Sequence, residues 1–286
     1  MRVSDTCAEC LFDKQRHLKK DPAYLEEVRQ ILESRREEDT SPYLVYLFQQ
    51  ARERRFGKES PYGEVKREFN ALVLSMEEDM KKRIKASPDP LAKALLLARA
   101  GNYIDFGAMT HVDRNTFLSL FEDLSLSPHD QKILCSFRRE CRSAGSFLLI
   151  TDNCGEIILD RLFLEELKKE FPDLSLTVMV RGGEILNDAV MEDALFAGMD
   201  KAARIITNGG PVAGTVRSML PEEAVKALEE ADVILAKGQG NYESLSGQGM
   251  HVFYSFLCKC SLFTGRFGVP PLSGMFVEET EAGQIR

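Results

Sequence analysis

Apolar residues recur at helical spacing through roughly the first 125 positions. In "DPAYLEEVRQILESRREED", Leu25, Val28, Ile31 and Leu32 form one stripe with a charged back. "SPYLVYLFQQARERRF" repeats the pattern behind a Ser–Pro entry signal, and "EVKREFNALVLSMEEDMKKRIKAS" and "DPLAKALLLARAGN" follow suit. No strand-like alternation interrupts these stretches. Residues 1–125 are therefore predicted to be an N-terminal all-α helical domain.

The period then changes. After one more helical stretch, "SPHDQKILCSFRRECRSAG", the apolar residues gather into short continuous runs: "SFLLIT", "LSLTVMV", "ARIIT", "DVILAKG" and "GMHVFYSFLC". Helical patterns lie between them, at 155–171, 188–198, 211–230 and, more weakly, 241–247. Strands alternating with helices predict βαβ units and a mostly parallel sheet covered on both faces. Residues 126–286 are accordingly predicted to be a Rossmann-like α/β domain, a three-layer αβα doubly wound sheet carrying the metal-binding, catalytic site. The tail "VEETEAGQIR" is predicted to be frayed.

Composition narrows the partners. The net charge is -8, which argues against nucleic acid as the main partner but leaves small phosphorylated ligands open. No apolar run approaches the ~18 residues that span a bilayer. The opening "MRVSDTCAECLFDKQRHL" lacks the apolar core of a signal peptide, so a cytoplasmic location is expected. Seven cysteines, in a chain of this size, do not suggest a disulfide framework. Homo-oligomerisation is left open.

Ligands of doubly wound sheets bind at the carboxyl ends of the strands, where the strand order reverses. The predicted strand ends here are "TDNCGE" (Asp152, Asn153, Glu156), "VRGGEILND" (Arg181, Asn187, Asp188), "TNGGPVAGT" (Asn208, Gly209, Gly210) and "AKGQGNYESL" (Lys237, Gln239, Asn241). Asp152, Asp188 and the Asn153 carbonyl are hard oxygen donors suited to Mg²⁺ or Mn²⁺. Lys237 offers a compact charge for phosphate oxygens, and Asn208–Gly209–Gly210 a backbone anion cradle at a helix start. Each residue also has a plainer reading. Asp152 or Asn153 fits an N-cap for the helix at 155–171, Asp188 or Asn187 an N-cap for the next, and Lys237 a strand-end lysine extended toward water.

"TDNCGEIILDRLFLEEL", "GGEILNDAVMEDA", "KGQGNYESL" and "AGNYIDFGA" (residues 100–108) resemble motifs of the metal-dependent damage-control phosphatases, the ARMT-like family, and most of all its smaller prokaryotic-type branch with an N-terminal CxxC, here Cys7 and Cys10. The resemblance implies an α/β/α fold behind a helical domain and hydrolysis of phosphate esters of small metabolites, damaged ones included. It implies a divalent ion (Mg²⁺, Mn²⁺, Co²⁺ or Ni²⁺) on Asp152, Asn153 and Asp188, with Asp152 and Lys237 catalytic. Asn102, Asp105, Glu156, Asn208, Gly209, Gly210, Lys237 and Asn241 are then the expected substrate and phosphate contacts. Cys154 departs from the Ala of many relatives. Gln239 replaces the Asp of larger eukaryotic members, which turns the expectation away from their sugar-phosphate substrates.

Two alternatives remain at this stage: an S-adenosylmethionine-dependent carboxyl methyltransferase, and a non-catalytic metal or phospholigand-binding protein. The methyltransferase lacks a Gly-rich loop after the first strand. Cys7, Cys10 and one of Cys258 or Cys260 could meet in a structural metal site, though buried reduced thiols explain them equally simply.

Overall fold

All five apolar runs form strands in the computed structural model, which describes residues 1–59, 61–105, 113–122, 124–280 and 285. They are β1 (Ser146–Ile150), β2 (Ser175–Val180), β3 (Arg204–Thr207), β4 (Val233–Lys237) and β5 (Val252–Leu257), all parallel. The sheet order is β3-β2-β1-β4-β5-β6, so the winding reverses between β1 and β4. The crevice of a doubly wound sheet opens at that point.

The sixth strand, β6 (Gly274–Glu279), runs antiparallel to β5 and corrects the expectation of a frayed tail from residue 277. Its acidic end looks like solvent-facing sequence, but both carboxylates have partners. Glu279 accepts from the Tyr254 hydroxyl at 3.1 Å and the Gly247 amide at 2.7 Å. Glu278 lies 3.1 Å from His251 Nε2. A buried acid with partners does not break a strand.

Before the sheet come α1 (Asp5–Leu18), α2 (Pro22–Glu33), α3 (Ser41–Phe56), α4 (Gly63–Ser75), α5 (Glu77–Ala86), α6 (Pro90–Gly101), α7 (Arg114–Ser119) and α8 (Pro128–Cys141). Pro at the first or second position and an aspartate cap start both α2 and α6. Helices α1–α3 close over their own cluster, centred on Tyr24, Val28, Leu44 and Phe48. Helices α4–α6 and α8 instead share a core with the sheet, through Phe69, Leu95, Ala98 and Phe137.

Between and after the strands lie α9 (Glu156–Glu170), α10 (Met191–Phe196), α11 (Glu222–Glu230), α12 (Gly238–Leu245) and α13 (Ser261–Phe267). Alternation along β1 assigns the two faces. Phe147 and Leu149 pack toward α9, while Leu148 and Ile150 pack toward α11 and α12. Helix α9 is sandwiched between the sheet and α6, which explains why even its Glu156 and Asp160 are buried.

Two helices are shorter than their patterns predict. The 188–198 pattern yields only α10, and the 211–230 pattern begins at Glu222. The Asn208 side-chain amide donates to the Val212 and Gly214 carbonyls at 3.2 and 3.1 Å. Those carbonyls are thereby drawn into a turn and away from a helical ladder.

Candidate active site

The loops after β1 and β2 are tied together by backbone. Asn153 and Asp188 pair as an isolated antiparallel bridge. The Cys154 amide donates to the Asn187 carbonyl at 2.9 Å, and the Ala189 amide to the Asp152 carbonyl at 2.8 Å. Asp152, Asn153 and Asp188 are thus gathered at the switch point. The capping readings do not describe them. The N-cap position of α9 is Gly155, with φ 68°, and that of α10 is Val190. Leu186, on the loop leading to Asp188, holds φ 47°, an uncommon conformation for a branched side chain and a mark of a loop constrained by its surroundings.

Side chains then fix the carboxylates. Asp152 Oδ2 accepts from Asn102 Nδ2 at 2.9 Å and from Asn153 Nδ2 at 2.7 Å. Asn102, at the C-terminal end of α6, also donates to Glu156 and accepts from the Leu257 amide at 3.1 Å. It therefore locks the helical region to the ends of β1 and β5. Arg181, at the end of β2, has a role that its place in the sequence does not reveal. Its guanidinium is fully buried, donating to Asp188 Oδ2 at 2.7 Å, Asn241 Oδ1 at 3.1 Å and Asp152 Oδ1 at 3.4 Å. Asn241 is occupied as a brace: it also accepts from the Thr215 hydroxyl and donates to the Thr151 and Lys237 carbonyls.

Lys237 corrects an expectation. Its ammonium turns into the layer between sheet and α9, donating to Asp160 at 2.6 Å, Glu156 at 2.7 Å and the Ala98 carbonyl at 3.1 Å. All three protons are committed, so none faces a phosphate. Burial opposes the charge on Lys237, but Asp160 and Glu156 outweigh it and hold its pKa above the ordinary value. Glu156, whose carboxylate also receives the Asn153 amide, braces the Asp152–Asn153 turn.

A lysine that sequence reading passed over stands at the end of β5. Lys259 Nζ lies 2.6 Å from Asp105 Oδ2, and its charge reaches Asp152. The signal was available: Lys259 follows the fifth strand end, read there only for its cysteines. Asp105 sits with Asp152 and Asp188 in a crevice of ≈ 130 Å³. Residues 106–108 of the "AGNYIDFGA" motif lie outside the described residues. Asn208, Gly209 and Gly210 do not line the crevice. Asn208 Oδ1 accepts from the Gly182 and Gly210 amides at 2.8 and 3.3 Å, and no helix begins at this turn, so the expected cradle becomes a brace between β2 and β3.

The electrostatics are those of a site short of positive charge. Burial, with the charges of Asp188, Glu156 and Asp105, pushes Asp152 well above the usual carboxylate range against Lys259. Burial raises Asp188 to about 6 despite Arg181. The Asp152 and Asp188 carboxylates in this state fit a hard divalent ion, which would relieve the repulsion; Asn153 Oδ1, which accepts from Asn187 Nδ2 at 3.2 Å, would exchange that partner for the ion. Elsewhere, Glu140, His251 and Glu278 bring three donor atoms within 4.8 Å of one another. That set lies at the amino end of β5, away from the crevice. Its carboxylates address opposite ring nitrogens, at 3.3 and 3.1 Å, which suits a clasp between α8, β5 and β6 better than one shared ion.

A doubly wound sheet with carboxylates gathered at its switch point defines a class of small-ligand α/β proteins, and comparison with known proteins defines the family within it. The model of the damage-control phosphatase ARMT1-like domain matches residues 2–273. A damage-control phosphatase of Archaeoglobus fulgidus is 36% identical over 219 residues, 74% of each chain. A damage-control phosphatase of Pyrococcus horikoshii is 30% identical over 216 residues, 75% of this chain and 73% of its own. The crystal structure of a DUF89 family protein from Pyrococcus horikoshii superposes with a TM-score of 0.79 over 96% of this chain and 98% of that one; at 24% identity it speaks for the fold. The chain belongs to the ARMT1-like damage-control phosphatase family, and a phosphatase role follows from that membership. Neither the family nor these relatives support the methyltransferase alternative.

Proposed function

We propose that the protein hydrolyses phosphate monoesters of small metabolites with a divalent ion held by Asp152, Asn153 and Asp188. The observation that carries this reading is the Asn153–Asp188 bridge, which brings carboxylates from two loops to one point of the crevice. The ion, Mg²⁺, Mn²⁺, Co²⁺ or Ni²⁺, would supply Lewis-acid polarisation of the phosphoryl oxygens.

The chain's own residues do the rest. Arg181 holds Asp188 and Asp152 in fixed orientation, so that neither carboxylate must reorganise when substrate arrives. Asn102 and Asn153 aim Asp152 Oδ2. We assign to Lys259 the phosphate-facing role expected of Lys237, because its ammonium pairs with Asp105 of the crevice wall and its charge reaches Asp152, while Lys237 is consumed by Glu156 and Asp160. Asp105 orients that lysine. At ≈ 130 Å³ the crevice is smaller than the roughly 300–1,000 Å³ of most ligand pockets, so it would enclose the phosphoryl group and little of the rest of the ester. Among the described residues no helix is long and apolar enough to cross a membrane. The reading places the protein in the cytoplasm, with its substrates.

The test is inorganic phosphate release from p-nitrophenyl phosphate and a panel of metabolite phosphomonoesters, in the presence of each ion. Wild type should turn over at least one ester and Asp152→Ala none. Equal activity of the two would refute the reading. Ion binding by wild type without turnover of any ester would favour a non-catalytic binding protein.

A further inference from the structure

We propose that Cys7, Cys10 and Cys260 form a second metal site in the wall of the crevice, built for a soft, thiolate-binding ion such as Zn²⁺. Cys7 and Cys10 stand three residues apart in α1, on one helix face. Cys260 precedes α13 at the other end of the chain. The fold brings all three to the cavity that also contains Asp152 and Asp188. They are free thiols, half-buried or exposed, whereas free cysteines usually sit inside the core, as Cys141, Cys154 and Cys258 do here.

A fourth donor is present. The Glu243 carboxylate lines the same cavity and accepts from the Ser41 hydroxyl at 3.2 Å, and that hydroxyl lies 3.5 Å from Cys7 Sγ. Three sulfurs and one oxygen make a set suited to four-coordinate zinc. The oxygen set at Asp152, Asn153 and Asp188 prefers a hard ion, so ligand softness sorts two different ions within one crevice.

A redox role fits less well. A reactive cysteine needs a lowered pKa. Burial raises the Cys7 thiol, and Glu243, Cys260 and Cys10 raise it further against the Ser41 hydrogen bond. Such thiols ionise when a cation supplies the charge, releasing protons as it binds. In the present rotamers no three of Cys7, Cys10, Cys260 and Glu243 have their donor atoms all within 4.8 Å of one another. Cys260 Sγ is held by Gln239 Nε2 at 3.5 Å. Ion capture therefore draws the α1 thiols toward Cys260 and pins α1 to the end of β5.

The probe is Cd²⁺, titrated into chelator-stripped protein and followed by thiolate-to-metal charge-transfer absorption. Wild type should give a band that saturates with the ion. Cys7→Ser and Cys260→Ser should weaken binding by more than the roughly 10–100-fold typical of losing an outer-shell partner. Cys135→Ser, at an exposed position of α8, and Asp188→Asn should leave the band intact. Alkylation mapping of the wild type checks the same point without any variant: Cd²⁺ should protect Cys7, Cys10 and Cys260 but not Cys135. No band, no selective protection, a band indifferent to Cys7→Ser and Cys260→Ser, or one abolished by Asp188→Asn, would each overturn the proposal.

Discussion

Gly238 leaves room for the Asp152 carboxylate and for nothing else: a Cβ on Gly238 would lie 2.0 Å from Asp152 Oδ2. The glycine also holds φ +81°, where a side chain is strained. The "KG" at the end of β4 thus reaches across the switch point to shape the end of β1. Gly238→Ala is expected to displace Asp152 and abolish ion-dependent activity. The backbone alone should cost about 1–2 kcal/mol of stability. Urea unfolding combined with phosphate release separates the two effects: activity near wild type in a folded variant would show that the carboxylate tolerates displacement.

Lys237 and Lys259 should fail differently. Lys237→Met leaves Glu156 and Asp160 buried without their cation, at a cost of about 3–5 kcal/mol in unfolding free energy. Lys259→Met should lose most of kcat/KM at a smaller cost in stability, because the carboxylate that loses its cation, Asp105, is partly exposed. Denaturation midpoints beside steady-state kinetics decide the matter. If Lys237→Met is stable and only its kinetics suffer, Lys237 faces the substrate after all.

Asn102→Asp keeps the side-chain shape but turns its amide donor into an acid against Asp152 and Glu156. The lost hydrogen bonds should destabilise the protein by about 1–3 kcal/mol and reduce activity, more so as pH rises. Thermal melts across pH would read this. A melting temperature unaffected at neutral pH would mean Asn102 is not the clamp between α6 and the strand ends.

The pH dependence has a definite sign. Burial raises Asp188 from an ordinary 3.8 to about 6, so the folded, ion-free protein holds this proton more tightly than the unfolded chain does. Its contribution to ion-free stability is largest below 3.8 and is lost as pH rises through about 6. Ion binding must displace that proton, so affinity should climb with pH across the same window. Calorimetric titration of Mn²⁺ at several pH values checks this: affinity that is flat or falls with rising pH contradicts the assignment of Asp188 as a ligand.

Much of this was legible in the sequence. Continuous apolar runs specify buried parallel strands, and polar residues directly after them mark carboxyl ends, so Asp152, Asn153 and Asp188 could be singled out. The direction of Lys237 was not legible, because Glu156 and Asp160, one turn apart on α9, approach it only after α9 packs on the sheet. Asn208 and Asn241 look like ligand-facing amides, yet both are used up bonding to the fold. β6 escaped notice because the partners of Glu278 and Glu279 are residues distant in sequence.

The central claim is that Asp152 and Asp188 hold the ion on which phosphate release depends. The most direct measurement is phosphate release by chelator-treated wild type, Asp152→Asn and Asp188→Asn before and after adding back Mn²⁺, Co²⁺, Ni²⁺ or Mg²⁺, with circular dichroism to verify folding. The account predicts no release without ion, recovery with ion in wild type, and no recovery in either folded variant. Full activity in chelated wild type, or recovery in both variants, would contradict it.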